Sequence, residues 1–276
     1  MASLRFKQLV RDDSGASRVY RDRTGAVYHS VTSILSATSD QSGLEQWAAG
    51  LERIYGVGAA DQDRRVAAER GTQAHSQAEY ILKTANKLAR NAANPAGSYR
   101  LGPDGLYRVP TKLFSWGMSK AAANVPPVSL SAKGYARSLT DWLLEHVTQC
   151  FACEFSVHHP AGFAGTSDGL VSVGPTTLEQ YGADPAYAGK PFIADWKTSA
   201  KRKSPQGLEN YRLQAGAYSL GLRHLTGIQA AGAFIVVARR VGKADVTFMS
   251  ARELADAERS YLARVEYFFA QLEQAA

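Results

Sequence analysis

Apolar positions recur at two periods along this chain, and the changes of period outline the fold. Leu254, Ala257, Tyr261, Leu262, Val265, Phe268, Phe269 and Leu272 fall on one broad stripe at helical spacing. Ser250 and Glu253 stand ahead of it at capping-box spacing, so a helix over 250–275 is predicted. Helical spacing also links Leu208, Tyr211, Leu213, Ala215, Tyr218 and Leu222 within 207–225, and Tyr135, Leu139, Trp142, Leu143 and Val147 within 134–149. Residues 61–90 read as an alanine-rich, charged helix. Strand patterns occupy 150–157, 164–173 and 191–197, and 231–238 is so uniformly apolar that it belongs inside a sheet. Residues 246–249 suit an edge strand.

The N-terminal part predicts strands over 4–10 and 17–29, with Arg23-Thr24-Gly25 as a turn. Val31 to Leu35 leads into a helical stretch around Glu45 to Ala49, with a break near Gly43; Trp47 reads as a packing residue. Residues 91–132 are the least regular, and Pro126-Pro127 bars a continuous helix there. The order of elements gives an α/β fold with a mixed central sheet flanked by helices. We expect one domain over 1–276. It has an extension at 1–60, a core at 71–90 and 150–240, an insertion at 91–149 and a closing helix at 250–275.

Composition narrows the partners. The chain has 276 residues, 45% of them hydrophobic, enough for a substantial core. Its net charge of +7 favours a polyanionic partner. In the insertion, Lys112, Lys120 and Lys133 stand among Phe114, Trp116 and Tyr135. Interleaved cations and rings suit single-stranded nucleic acid; the other reading is a long insertion with a small apolar contact set of its own. There are two cysteines, Cys150 and Cys153, which we read as buried thiols on a strand in a reduced interior, not as a zinc half-site. No run approaches the ~20 apolar residues of a membrane span, and the start lacks a signal peptide's apolar centre. A soluble, cytoplasmic protein with no membrane partner, in a bacterium or a phage-infected host, is expected.

Candidate chemistry gathers around Ile193-Ala194-Asp195-Trp196-Lys197-Thr198-Ser199. On a strand Asp195 and Lys197 share a face. A second carboxylate, Asp168, lies mid-strand in Gly165-Thr166-Ser167-Asp168-Gly169, and Glu154 sits on the strand before it, with Cys153 and Phe155 expected on the opposite face. His75 and Glu79 are four apart and share a helical face; the plainer reading of that pair is a solvated surface. Two aspartates and a histidine suit Mg2+ or Mn2+, with Lys197 placed to orient a water or stabilise developing charge.

These segments resemble the PD-(D/E)XK nuclease superfamily in its RecB-type branch. Ala194-Asp195-Trp196-Lys197-Thr198-Ser199 and Gly165-Thr166-Ser167-Asp168 carry the likeness. Gly71-Thr72-Gln73-Ala74-His75 with Glu79 is similar to the branch's first motif, and Gln214 with Tyr218 to its Gln-xxx-Tyr motif. Val31 to Leu35 is similar to a segment of the mitochondrial genome-maintenance exonucleases and their phage relatives. The motifs span about residues 31–218. The resemblance implies an αβββαβ core. It implies His75, Asp168, Asp195 and the Trp196 carbonyl as metal ligands, Asp168, Asp195 and Lys197 as catalytic residues, and Glu79, Glu154, Thr198, Ser199, Gln214 and Tyr218 in supporting or DNA-contacting roles. Two cysteines cannot hold the iron–sulfur cluster of some relatives, so none is expected. The spacing from Asp168 to Asp195 requires a loop over 174–190, with Glu179 and Asp184 facing solvent. The implied function is a magnesium- or manganese-dependent DNA exonuclease acting on single strands or free ends in DNA degradation, recombination, replication or repair. A structure-specific endonuclease of the same fold, a non-catalytic DNA-binding module and a basic enzyme unrelated to nucleic acid are the alternatives.

Overall fold

A computed structural model describes Leu4, Phe6 and residues 9–15, 17–94 and 97–275. Strands β1 (Val10–Asp12), β2 (Val19–Arg21) and β3 (Val27–Ser30) form an antiparallel meander. Helices α1 (Val31–Thr38), α2 (Ser42–Tyr55) and α3 (Ala59–Ala93) follow. Residues 100–123 contain the small strands β4 (Arg100–Leu101) and β5 (Tyr107–Arg108), then α4 (Thr111–Ala123). After α5 (Leu130–His146) come the long strands β6 (Val147–His159) and β7 (Phe163–Val173). Short α6 (Pro175–Gln180) and a 3-10 turn at Pro185–Tyr187 lead to β8 (Phe192–Thr198). Helix α7 (Pro205–Thr226), strands β9 (Gly232–Ala238) and β10 (Asp245–Ser250), and α8 (Ala251–Ala275) complete the chain.

The main sheet is mixed. Strand β7 pairs antiparallel with β6 along one edge; its other edge takes β3 at one end, in parallel, and β8 further along, antiparallel. Strand β9 runs parallel to β8, and β10 closes the edge antiparallel to β9. Alternation along β8 divides the interior. Phe192, Ala194 and Trp196 enter a core under α3, α4 and α5, whereas Ile193 enters a second core under α1, α7 and α8. Asp195 and Lys197 have the parity of Ile193, so the α7 side receives the charged pair. Trp196 packs its ring against Trp142 at 5.6 Å on the far side.

Helix α3 is about 52 Å long at 1.5 Å per residue. Its buried stripe is mostly alanine: Ala74, Ala78, Ala85, Ala89 and Ala93, with Ile81 and Leu82. Small side chains let α4 approach closely; a Cβ on Gly117 would stand 2.8 Å from the Ala85 carbonyl oxygen. The capping box at α8 forms as the sequence predicts, with Ser250 N–H donating to Glu253 Oε2 at 2.8 Å and Glu253 N–H to Ser250 Oγ at 3.3 Å. Among the described residues no helix is long and apolar enough to cross a membrane.

Several expectations are corrected. The break after α1 falls at 39–41, and Gly43 lies inside α2. Residues 111–123 are helical, within the stretch read as irregular. Phe114 and Tyr135 are core residues at 0% and 1% exposure, so the interleaved stacking platform does not exist as such. Trp47 is partly exposed, with Arg64 over its ring. The segment 174–190 is not plain loop, although Glu179 and Asp184 do face solvent. Of the strand expected over 4–10, residues 5, 7 and 8 lie outside the described residues.

Candidate metal centre

Three side chains from three elements converge. His75 from α3, Glu154 from β6 and Asp168 from β7 each bring one ligand-type atom to within 4.8 Å of the others. His75 Nδ1 lies 3.4 Å from Asp168 Oδ1. The other Asp168 oxygen, Oδ2, accepts the Trp196 N–H at 2.6 Å, which fixes the carboxylate against β8.

The sheet register explains the convergence. Cys153 pairs with Gly169, Phe155 with Ser167, and Gly169 with Ala194. One step along these ladders sets Glu154, Asp168 and Asp195 in a row across β6, β7 and β8. Like charges directly opposite one another are unfavourable unless something neutralises them. Lys197 partly does so: its Nζ lies 2.6 Å from Asp195 Oδ2 and 5.2 Å from the Tyr211 ring centroid. The Asp195 oxygens are otherwise buried without a hydrogen-bond donor.

The electrostatics follow. Burial raises the Asp195 carboxyl to about 6 against the pull of Lys197, with the Asp168 charge adding to the rise. Burial, Asp168 and Glu79 raise Glu154 to about 7, with His75 opposing. Burial acts on Asp168 too, but His75, Lys197 and the Trp196 amide outweigh it and hold that carboxyl low. His75 is raised in turn, because Asp168 overrides the effect of burial. Two carboxyls raised chiefly by burial, together with an Asp195 Oδ1 that has no hydrogen-bond donor, fit a divalent ion. A hard cation with oxygen ligands and one imidazole matches the donor set of His75, Glu154 and Asp168.

Glu154 has φ +49°, the only positive φ outside glycine among the described residues. This conformation breaks the strand alternation. Cys153 packs toward the α3 core whereas Phe155 enters the α7 core, so the two do not share the one face expected for them. Glu154 is also more central than its supporting role implied.

The remaining predicted residues take distinct positions. Glu79 turns to an ion pair with Lys83. Gln214 Nε2 donates to Tyr218 OH at 2.6 Å on α7, and a Cβ on Gly165 would meet the Tyr218 ring at 2.9 Å, so the glycine makes room for the tyrosine. Thr198 reaches α3: a Cβ on Gly71 would lie 3.3 Å from its Oγ1. Ser199 Oγ donates to the Lys201 carbonyl at 2.6 Å. Cys150 and Cys153 are free thiols. The sequence matches no model of a known protein family and no curated protein.

Proposed function

We propose that this chain is a divalent-cation-dependent nuclease of the PD-(D/E)XK type that hydrolyses DNA phosphodiester bonds and prefers single strands or free ends. The observation that carries the reading is the cross-strand row of Glu154, Asp168 and Asp195, with His75 against Asp168 and Lys197 against Asp195. The succession α3, β6, β7, β8, α7, β9 supports it, since it runs in the αβββαβ order of that superfamily.

His75, Glu154 and Asp168 would hold Mg2+ or Mn2+, with Asp195 and the Trp196 carbonyl as further oxygen donors. A bound ion supplies charge neutralisation at the scissile phosphate and acidifies water. Lys197 presents a buried ammonium, held by Asp195, that stabilises charge growing on the phosphate. Tyr218, braced by Gln214, closes the α7 side, and its phenol stays protonated because burial pushes its pKa well up. A row of carboxylates needing a cation, with a fixed ammonium alongside, has its chemical match in a phosphodiester. Thr198 and Ser199 lie at the strand end where the next phosphate of a bound strand would pass.

The test is digestion of linear single-stranded DNA labelled at either end, beside a closed single-stranded circle, in Mg2+ or EDTA. Loss of the linear strand with Mg2+ and survival of the circle are expected. Cutting of the circle would make the enzyme an endonuclease, and no cleavage of either in Mg2+ or Mn2+ would overturn the assignment.

A further inference from the structure

A cationic surface lies near the candidate metal centre. Residues of α3, the start of α5 and the β9–β10 turn enclose a cleft of about 770 Å3 that contains Arg70, Lys133, Arg137, Arg240 and Lys243. Its acidic lining residue is Asp141, which faces Arg137 at 3.6 Å, and Lys243 pairs with Glu145 at 3.0 Å. Among the described residues, Arg70, Lys133 and Arg240 take part in no ion pair. Three uncompensated cations on one concave surface repel each other, and the unfavourable field is relieved by an anionic ligand.

The cleft is held by its backbone. A Cβ on Gly134 would stand 2.0 Å from the Arg240 carbonyl oxygen, so only glycine lets α5 touch the β9–β10 turn. Arg239 N–H donates to Ser138 Oγ at 3.1 Å beside it. The Arg70 guanidinium sits over the buried Tyr135 ring, 5.5 Å from its centroid. Leu130 and Val241 are 90% and 83% exposed in the same lining. Exposed apolar side chains among fixed cations suit a ligand with alternating anionic and planar apolar parts, as a nucleic-acid strand has.

Position ties the cleft to the centre. Arg70 precedes His75 on α3 by five residues, about 7.5 Å of helix. Ala238 pairs with Thr198, so Arg240 leaves β9 about 10 Å beyond the level of Lys197. We propose that this cleft binds the phosphodiester backbone of a single DNA strand next to the scissile position, with Arg70, Lys133 and Arg240 on phosphates and Leu130 and Val241 against bases. The proposal rests on the DNA-directed function proposed above. A volume of this size holds about two nucleotides.

The experiment is fluorescence anisotropy of a labelled 15-nucleotide single strand with the full chain in EDTA. Wild type is compared with Lys133→Glu/Arg240→Glu, with the milder Lys133→Gln/Arg240→Gln and with Arg259→Gln, an exposed cation on α8 outside the cleft. Both cleft pairs should weaken binding, the reversal at least tenfold, and lower the log–log salt slope by about 1.4, while Arg259→Gln binds like wild type. Melting temperatures of the cleft variants should match wild type, both residues being exposed. Unchanged affinity and slope in both cleft variants would overturn the proposal. So would loss confined to a blunt duplex, or displacement of the strand by inorganic phosphate or a mononucleotide at equal concentration. A wild type that binds through the cleft yet cleaves nothing with Mg2+ or Mn2+ would instead overturn the nuclease reading alone.

Discussion

Trp196 N–H donates to Asp168 Oδ2 at 2.6 Å, so the strand that carries Asp195 and Lys197 is pinned to the carboxylate of its neighbour. Trp196 thereby has two roles from one residue. Its ring anchors β8 in the α3 core, and its amide holds Asp168 in the row of acids on the other side. Packing on one face of the sheet fixes chemistry on the other.

The Asp195–Lys197 pair makes the first prediction. Removing one partner of a buried pair leaves an uncompensated charge and costs about 3–5 kcal/mol. Lys197→Met should therefore abolish cleavage and lower the metal-free melting temperature. Adding Asp195→Asn should recover much of the stability while cleavage stays absent. Scanning fluorimetry with a cleavage assay checks both; a double variant no more stable than Lys197→Met contradicts the pairing.

Glu154 makes the second. A non-glycine residue at positive φ costs about 1–3 kcal/mol, and glycine adopts that backbone freely. Glu154→Gly also removes a half-buried acid from beside Asp168. The variant should melt a few degrees higher than wild type in EDTA and bind Mn2+ at least tenfold more weakly. Glu154→Gln should lose Mn2+ affinity while keeping the strained backbone. A lower melting temperature for Glu154→Gly would show that the side chain holds the fold and not an ion.

Proton linkage makes the third. Asp195 and Glu154 are raised in the fold, to about 6 and about 7 from ordinary values of 3.8 and 4.5. Between those limits the metal-free fold binds more protons than the unfolded chain, so its stability falls as pH rises from about 4 to about 7. His75, also raised, works in the same direction, because its stabilising proton is lost as pH climbs through its folded pKa. A cation must displace these protons. Mn2+ affinity should rise from pH 5.5 to 7.5 and binding should release protons at about pH 6.5. Calorimetry in two buffers of different ionisation enthalpy measures that release; identical heats and a pH-independent affinity would refute it.

The legible parts of this protein are those where one short segment carries the signal. Alternation on β8 put Asp195 and Lys197 on one face and Trp196 on the other, and the α8 stripe and its cap are local. Helix α4 was hidden because its contact with α3 runs through Gly117, Ala121 and Ala85, residues with little apolar contrast. Glu154 carries little signal of its own in the sequence, because it is the β6–β7 register that sets it opposite Asp168. The cationic cleft draws on positions 70, 133 and 240, joined only by the fold. Lys133 belongs to it, although the aromatic neighbours that made it conspicuous in the sequence are buried elsewhere.

On the proposed function, a divalent ion held by His75, Glu154 and Asp168 drives cleavage of DNA. The most direct measurement is the Mn2+ dependence of cleavage of an end-labelled single strand by wild type and by Asp168→Asn. Wild type should show no cleavage in EDTA and a saturable rise with Mn2+, and Asp168→Asn should lose at least a hundredfold in rate at every concentration. Cleavage by wild type in EDTA, or an Asp168→Asn rate equal to wild type, would contradict the account.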